Sequence, residues 1–426
     1  MSDPIRVVII GGGILGCSAA YSLSKKLNCQ TTLLEANTLA SGTTSYAAAL
    51  LTRARQHPVI ADLVRQTFHC IHELEELLGQ QLPYNPVGSL HLATQAESHQ
   101  QVQQMALIAK QQNLDVEWLN AQQAMEQCPW LRLPSDALAA YMPNDGFIDP
   151  YQLAMAYAQG AKKLSDRHHC SDSGHTGLTI RQGCRVKTVL QQGDRVTGVE
   201  LTDGEKVFAD VVIDAAGPWS TLLARQVGVN LAMAPVRSHY WLTGKLASVP
   251  SDSPMVILPD ARAYARPEVG HLLFGLRDYH PVYTQPENIP DDLAGFSFGE
   301  DSQGWDTLEE GFDGLSGFFP ELHSTSIEHY ISSVSSYTSD GYPLVGYLTD
   351  SQGNIQLDGF IAMTGCSGGG IGMSGGLGRL VAELVDKQTP YTDLKPLSLH
   401  RFGEIDPLQD DFQRECALAR CGKRGG

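Results

Sequence analysis

The chain begins with a short apolar run, Val7 to Ile10 in "RVVII", that neither alternates nor extends to helix length, which predicts a strand buried on both faces. "ILGCSAAYSLSKKL" then places Ile14, Ala19 and Leu23 near helical spacing, and "TTLLE" repeats the buried-strand texture, so residues 6 to 35 read as one βαβ unit. Val59 to Leu78 carry a clear amphipathic helical period closed by Gly79, "PVGSLHLAT" alternates like a strand, and residues 96 to 127, rich in Gln and Ala, read as helical. A further helix is expected to start at Pro150, where a missing N–H does no harm. Residues 183 to 213 read as three strands joined by G-D and D-G turns. Four strand-like runs follow between 235 and 335, "HYWLTG", "MVILP", "HLLFGLR" and "EHYISSVSS", and a last strand, "GFIAMTG", leads into "GCSGGGIGMSGGLG" at 365 to 378 and the helix-like "RLVAELV".

"GGGILG" sets Gly11, Gly13 and Gly16 in G-x-G-x-x-G spacing after a strand and at the start of a helix, with Glu35 ending the next strand. In that context Gly11 permits the tight turn, Gly13 lets backbone approach a pyrophosphate, and Gly16 lets helix and strand pack closely, while Ile14 and Leu15 open the helix whose N-terminus faces the phosphates. Glu35 can accept hydrogen bonds from a ribose diol and would repel a 2′-phosphate, which disfavours NADP. The spacing therefore indicates a dinucleotide. Position at the extreme N-terminus favours FAD over NAD, as does the small-residue segment "LASGTTSYAAALL", which can lie along a ribityl chain.

From these residues the chain resembles the D-amino-acid-oxidase-like superfamily of FAD enzymes, which includes glycine and sarcosine oxidases and the dimethylglycine and sarcosine dehydrogenases. "RVKTVLQQGDRVTGVELTDG", "ADVVIDAAGPWS", "SYTSDGYPLVG" and "TGCSGGGIGMSGGLGRLVAEL" extend the likeness over nearly the whole chain. The resemblance implies an α/β fold, α+β overall. A Rossmann-type FAD-binding domain, residues 1–82, 147–232 and 336–400, is expected to interleave with a substrate domain built on an antiparallel sheet, residues 83–146 and 233–335, with residues 401–426 as a C-terminal tail. Cofactor contacts are expected from the glycine motif, from Glu35, Ala36, Ser41, Gly42, Thr43 and Thr44, and from Val186, Ala215, Ala216, Gly217 and Trp219. Gly341 and the loop Gly368, Gly369, Gly370, Ile371, Gly372 and Met373 complete the set, the loop backbone facing the flavin pyrimidine, where donors at a helix N-terminus stabilise the reduced ring.

The family pattern also has departures. Tyr46 and Ser335 stand where relatives carry a flavin-tethering His or Cys, so FAD is expected to be noncovalent. Lysines that sarcosine oxidases keep would fall at Gly372 and near Leu273, and their absence points to a dehydrogenase. An oxygen-using oxidase and an FAD-binding subunit with little activity of its own stay as alternatives. For the substrate carboxylate the candidates are Arg55, with its neighbour Arg53, and Arg266; Tyr46, His239 and Tyr240 are candidates to line the substrate face.

Composition narrows the partners. Thirty Lys and Arg against 47 Asp and Glu give a formal charge of -17 with no basic run, which argues against nucleic acid and anionic membrane surfaces. Nine cysteines without a C-x-x-C pair, and no His or acidic cluster at ligand spacing, predict free thiols and no metal. No run approaches the roughly 20 apolar residues of a membrane span, and the first strand follows the start directly, so the expectation is a cytoplasmic protein. Substrate is then a small amino acid or amine; electron acceptor and homo- or hetero-oligomeric state stay open.

Overall fold

The computed structural model describes residues 3–26, 28–169, 177–350 and 352–422. Strand β1 (Ile5–Ile10) runs into helix α1 (Ile14–Leu23) and back through β2 (Cys29–Leu34), parallel to β1 from Ile5 opposite Cys29 to Ile10 opposite Leu34. All ten residues of α1 are buried, which is why its pattern is apolar all round rather than amphipathic. Two more helices join its core. Helix α2 (Pro58–Leu78) has proline in its first turn and ends on Gly79 at φ 72°, and its buried face carries Leu63, Phe68, Ile71 and Leu74; helix α3 spans Pro150–His169.

One expectation fails along this stretch. The helix from Ala96 stops at Gln111, Asn113 takes a left-handed φ of 58°, and a strand, Glu117–Leu119, intervenes before a second helix, Ala121–Gln127. Asn120 caps that helix reciprocally with Gln123, so asparagine's local hydrogen bonding overrides the helical preference of the flanking Gln and Ala. The meander forms as expected, Val186–Gln192, Arg195–Leu201 and Lys206–Phe208, and feeds strand β3 (Val211–Asp214) beside β1.

A second, eight-stranded sheet holds β4 (Ala234–Thr243), β5 (Ala263–Glu268), β6 (His271–Leu276) and β7 (Ile327–Tyr337). Its order is β7, β4, β6, β5, Met255–Leu258, Ser89–Ala93, Leu138–Met142 and Glu117–Leu119, antiparallel except between the two strands beginning at Met255 and Ser89. Odd positions of β4 and even positions of β6 turn to one face, where Trp241 stacks on Phe274 at 5.6 Å and helix Trp305–Phe318 closes a core. The other face of the sheet looks toward β1 and α1.

The chain returns as β8 (Phe360–Thr364), completing a six-stranded sheet of Leu344–Tyr347, β8, β3, β1, β2 and Gly177–Arg181, parallel but for its first pair. Helix α4 (Gly370–Val385) follows and crosses α1 and α2 at close range: a Cβ at Gly375 would sit 2.7 Å from the Thr67 Cα, so three of its glycines, 375, 376 and 378, serve helix crossing. The C-terminal segment is no loose appendage. Helix α5 (Asp410–Cys421) packs Phe412, Cys416 and Ala417 against β4 and β7 and buries Arg420 completely. The eight cysteines among the described residues are all free thiols, Cys170 lying outside them, and no described helix is long and apolar enough to cross a membrane.

Candidate functional site

The turn after β1 is built for close approach. Gly11 has φ 99°, and a Cβ on it would lie 2.6 Å from the Ala215 carbonyl oxygen, so only glycine lets β3 pass this near. At Gly16 a Cβ would overlap the Gly11 carbonyl oxygen, which makes this glycine a packing position behind the site. The Thr44 Oγ1 accepts from the Ile14 N–H at 2.9 Å, tying the small-residue segment to the first turn of α1. Glu35 accepts from the N–H of Gly12 at 2.7 Å and of Asn37 at 2.8 Å, which fixes its carboxylate while leaving lone pairs for further donors.

The second glycine cluster meets the first across one cavity. The Ser367 N–H donates to the Ser336 carbonyl at 2.8 Å, and a Cβ at Gly368 would reach to 2.6 Å from the Tyr337 hydroxyl, so the loop ahead of α4 is pressed against the end of β7. Between the two clusters lies a cavity of about 730 Å³, within the range of small-molecule sites. It runs from Glu35, Cys184 and Arg185 past the N-terminus of α1 to Gly368–Met373 and the face of the eight-stranded sheet. Every residue expected at the cofactor lines it except Gly16: Gly11, Gly13, Ile14, Leu15, Glu35, Ala36, Ser41 to Thr44, Val186, Ala215 to Gly217, Trp219, Gly341 and the 368–373 loop.

Sequence reasoning missed a strap that crosses one end. Residues 290 and 291, from the long connection after β6, take hydrogen bonds from Trp219 Nε1 (3.1 Å, to the Pro290 carbonyl), Asn37 Nδ2 and Arg185 (each 3.1 Å, to the Asp291 carbonyl). Arg185 also pairs with the Asp291 carboxylate at 3.0 Å, and Tyr46 and Trp219 pack under the strap with Ile289, Leu293 and Phe298. Burial and then Asp292 push the Tyr46 hydroxyl upward in pKa.

The substrate-side candidates separate. Arg55 lines the cavity, its guanidinium donating to Thr52 Oγ1 at 2.5 Å and to the Ala54 carbonyl at 2.8 Å, and one of its nitrogens lies 4.0 Å from where a Gly372 Cβ would stand. Tyr46 also lines it. His239 does not. It lies on the opposite face of β4, bonded to the Tyr330 hydroxyl at 2.9 Å and 3.4 Å from Asp278, and burial, which outweighs that carboxylate, holds its pKa well below the ordinary value. Arg266 is likewise committed elsewhere. Its guanidinium donates to the carbonyls of Ala48 (2.9 Å) and Pro267 (3.1 Å), pairs with Glu268 and lies over Phe147, so it staples the small-residue segment to the sheet. Tyr240 points to the cavity side but stops beside Arg266 and Glu268 outside the lining. Arg53 covers Phe68 and donates to the Asn144 carbonyl.

Residues unmarked in the sequence take their place: Ser238 on β4, Tyr264 on β5, Arg277 just past β6, and Ser333 and Tyr337 on β7, beside Ser335. They are the alternate positions of their strands, and alternation was the available signal; which alternate set faces the cavity depends on sheet register. Cys366 also lines the cavity, and burial pushes its thiol up to about 12, so it is no thiolate nucleophile at neutral pH.

A family model described as "DAO: FAD dependent oxidoreductase" matches residues 6–384. The chain belongs to that family. It is 30% identical over 398 residues to a 4-methylaminobutanoate oxidase (formaldehyde-forming) of Paenarthrobacter nicotinovorans, covering 93% of this chain and 46% of the relative. To the mitochondrial sarcosine dehydrogenase of Homo sapiens it is 27% identical over 400 residues, covering 93% of this chain and 41% of that one. The chain thus spans less than half the length of these relatives. Among solved structures an L-proline dehydrogenase from P. horikoshii shares the fold, with a TM-score of 0.77, 20% identity and coverage of 94% of this chain and 98% of the other.

FAD is the cofactor, and the cavity fits it. The cradle at Gly11 and Gly13 leaves room where a side chain would intrude, Glu35 waits at the end of β2, and α4 aims its N-terminus at the opposite end. Hydroxyls of Ser333, Ser336 and Tyr337, all buried at this end, have no partner among the described residues, as expected of groups that face a ligand.

Proposed function

We propose that this protein oxidises the C–N bond of an amino acid or a secondary (N-methyl) amine as a dehydrogenase, giving an imine that water hydrolyses. Bound FAD supplies the hydride acceptor, its N5. With FAD bound, the Gly368–Met373 backbone and the positive end of α4 would favour negative charge at the ring, and the sheet face would present the substrate to it.

The observation that carries the reading is the chemistry of that face. At the sheet end the titratable groups of the cavity are arginines, tyrosines and one protonated cysteine, with His239 turned away. An amine gives up hydride only as the free base, and two guanidinia, Arg55 and Arg277, disfavour its ammonium form, so no protein base is called for. The dehydrogenase assignment is supported by Leu273 and Gly372 standing where an oxidase lysine is expected, and the relatives by name include both an oxidase and a dehydrogenase.

Anaerobic mixing of the FAD-loaded protein with sarcosine, N,N-dimethylglycine, 4-methylaminobutanoate, glycine and proline tests it. The flavin should bleach with at least one and return slowly in air. Fast return with peroxide would make it an oxidase, and no bleaching would support a binding subunit.

A further inference from the structure

We propose that the strap, residues 286–298, is a latch over the adenosine end of the FAD cavity, a segment that swings clear for the cofactor to enter or leave. The inference needs only FAD as the cofactor and is independent of the amine-oxidation reading.

The connection from β6 to helix Trp305–Phe318 covers residues 277 to 304 and holds no element beyond one short helical turn, Pro286–Asn288. Connections in compact domains usually run about 4–6 residues, and ordered ones far longer than that usually carry function. This one is tied firmly at both ends. At its root Asp278 takes Arg237 Nε at 3.1 Å and Arg420 at 2.5 Å, the Arg237 N–H donates to the Val282 carbonyl at 3.0 Å, and the Thr284 N–H donates to the Pro235 carbonyl at 3.1 Å. Helix α5 adds Asp410, which accepts from the Tyr283 hydroxyl at 2.9 Å, and Gln413, which donates to the Gln285 side chain at 2.8 Å. The C-terminal helix therefore pins the root. At the far end Asp301 pairs with Arg237 at 3.5 Å and accepts from the Trp305 N–H at 2.8 Å.

Between these anchorages the hold is lighter. Trp219, Asn37 and Arg185 donate to two backbone carbonyls, and the Arg185–Asp291 pair ends on a carboxylate that is 79% exposed, where an ion pair contributes little. On the underside Ile289, Leu293 and Phe298 form a small cluster of their own with Val334, Tyr46 and Trp219, separate from the cores of the two large sheets. A satellite cluster under a long loop can part without disturbing a main core. Gly295 and Gly299, at φ 75° and 64° with open space where a Cβ would stand, give the segment turning points on its C-terminal side.

Placement makes this segment a latch. Asn37, Arg185, Trp219 and Asp291 all line the cavity, at the end where Glu35 stands. The Asn37 N–H also holds the Glu35 carboxylate at 2.8 Å, so the strap grips the turn that sets the carboxylate expected at the ribose. The contacts that close the strap run from protein to protein, so weakening them eases opening whether the cavity is empty or filled. Loading and loss of FAD then quicken by one factor, and the binding equilibrium stays where it was.

Dilution of the FAD-loaded protein to a series of concentrations, followed by the fluorescence of released flavin, gives the rate of loss and the dissociation constant together. Leu293→Ala should speed loss by about 10-fold or more, as truncation of a buried leucine under the latch. Asp291→Asn should speed it by about 2- to 5-fold, and this gain should vanish at about 1 M salt, where the wild-type pair is already screened. In both variants the dissociation constant should stay within about twofold of the wild type. Asp291→Asn alters an exposed carboxylate and carries the test alone if Leu293→Ala does not fold. Loss of FAD at the wild-type rate, or faster loss matched by an equal rise in the dissociation constant, which marks a direct contact with FAD, would each overturn the latch.

Discussion

Arg420 is the test of how the substrate sheet is held. It sits in the C-terminal helix at 1% exposure and donates to the Asp278 carboxylate at 2.5 Å, while Arg237 reaches the same carboxylate and Thr307 at 2.7 Å. Burial alone would raise the Asp278 pKa, yet the Arg420 and Arg237 guanidinia hold it down at about 2. Replacing Arg420 by Met keeps most of the apolar stem and removes one of two buried guanidinia. Breaking a buried pair costs about 3–5 kcal/mol. For 426 residues the unfolding entropy near the midpoint is roughly 0.9 kcal/mol/K, so Tm should fall by about 3–6 °C. Calorimetry of the FAD-loaded protein reads this directly, and Arg420→Lys, which retains a point charge without the fork, should fall between the two. A melting temperature for Arg420→Met within about 1 °C of the parent would show that Asp278 is satisfied without the helix, and the pinning argument would be wrong.

Other expectations are as concrete. Gly16→Ala must push α1 away from the Gly11 carbonyl, and a shift of about 1 Å at the phosphate-facing turn should cost FAD affinity roughly 100-fold, measured by fluorescence on reconstitution. Acid precipitation should leave all flavin in the supernatant, because Tyr46 and Ser335 offer no tether and the Cys366 thiol is protonated; flavin in the pellet would contradict this. Two buried groups oppose each other with pH. Burial, aided by Arg55, lowers His91 from 6.5 to about 4, so the unfolded chain binds the proton first and stability falls by about 3 kcal/mol as pH drops from 6.5 to 4. Burial raises Asp214 from 3.8 to about 6, so stability rises by a similar amount over the overlapping window from pH 6 to 3.8. Relative to wild type, His91→Gln should therefore gain stability between pH 6.5 and 4 and Asp214→Asn should lose it, in denaturant titrations at the two pH values.

Much of the cofactor side was legible because its requirements are local. The spacing of Gly11, Gly13 and Gly16 between a strand and a helix, with Glu35 one strand on, states its geometry within thirty residues. The substrate side was not, because polar and aromatic residues alternate on both faces of β4. In "RSHYW" neither Ser238 nor His239 shows which faces the cavity; pairing with β6 and β7 decides it, and a step of one residue exchanges the sets. Arg277 ends an apolar strand in "HLLFGLR" and looks like any charge at a strand terminus until the register is known. The glycines of 365 to 378 look alike in the sequence; the structure divides them, those up to Gly372 at the cavity and Gly375, Gly376 and Gly378 at helix crossings, since both uses need a missing Cβ. Nor could local pattern reveal that Asn113 would break a Gln-rich helix, or that the last described residues form a helix pinning the sheet.

The central claim is that this cavity oxidises a free amine without a protein base. Stopped-flow reduction of the flavin by the best substrate of the panel, followed across pH under anaerobic conditions, tests it most directly. The apparent affinity should improve with pH along a single ionisation that moves with the amine's own pKa when the substrate is changed, while the limiting rate stays flat. An ionisation of the limiting rate that keeps the same pKa for every substrate would reveal a base in the protein and contradict the account.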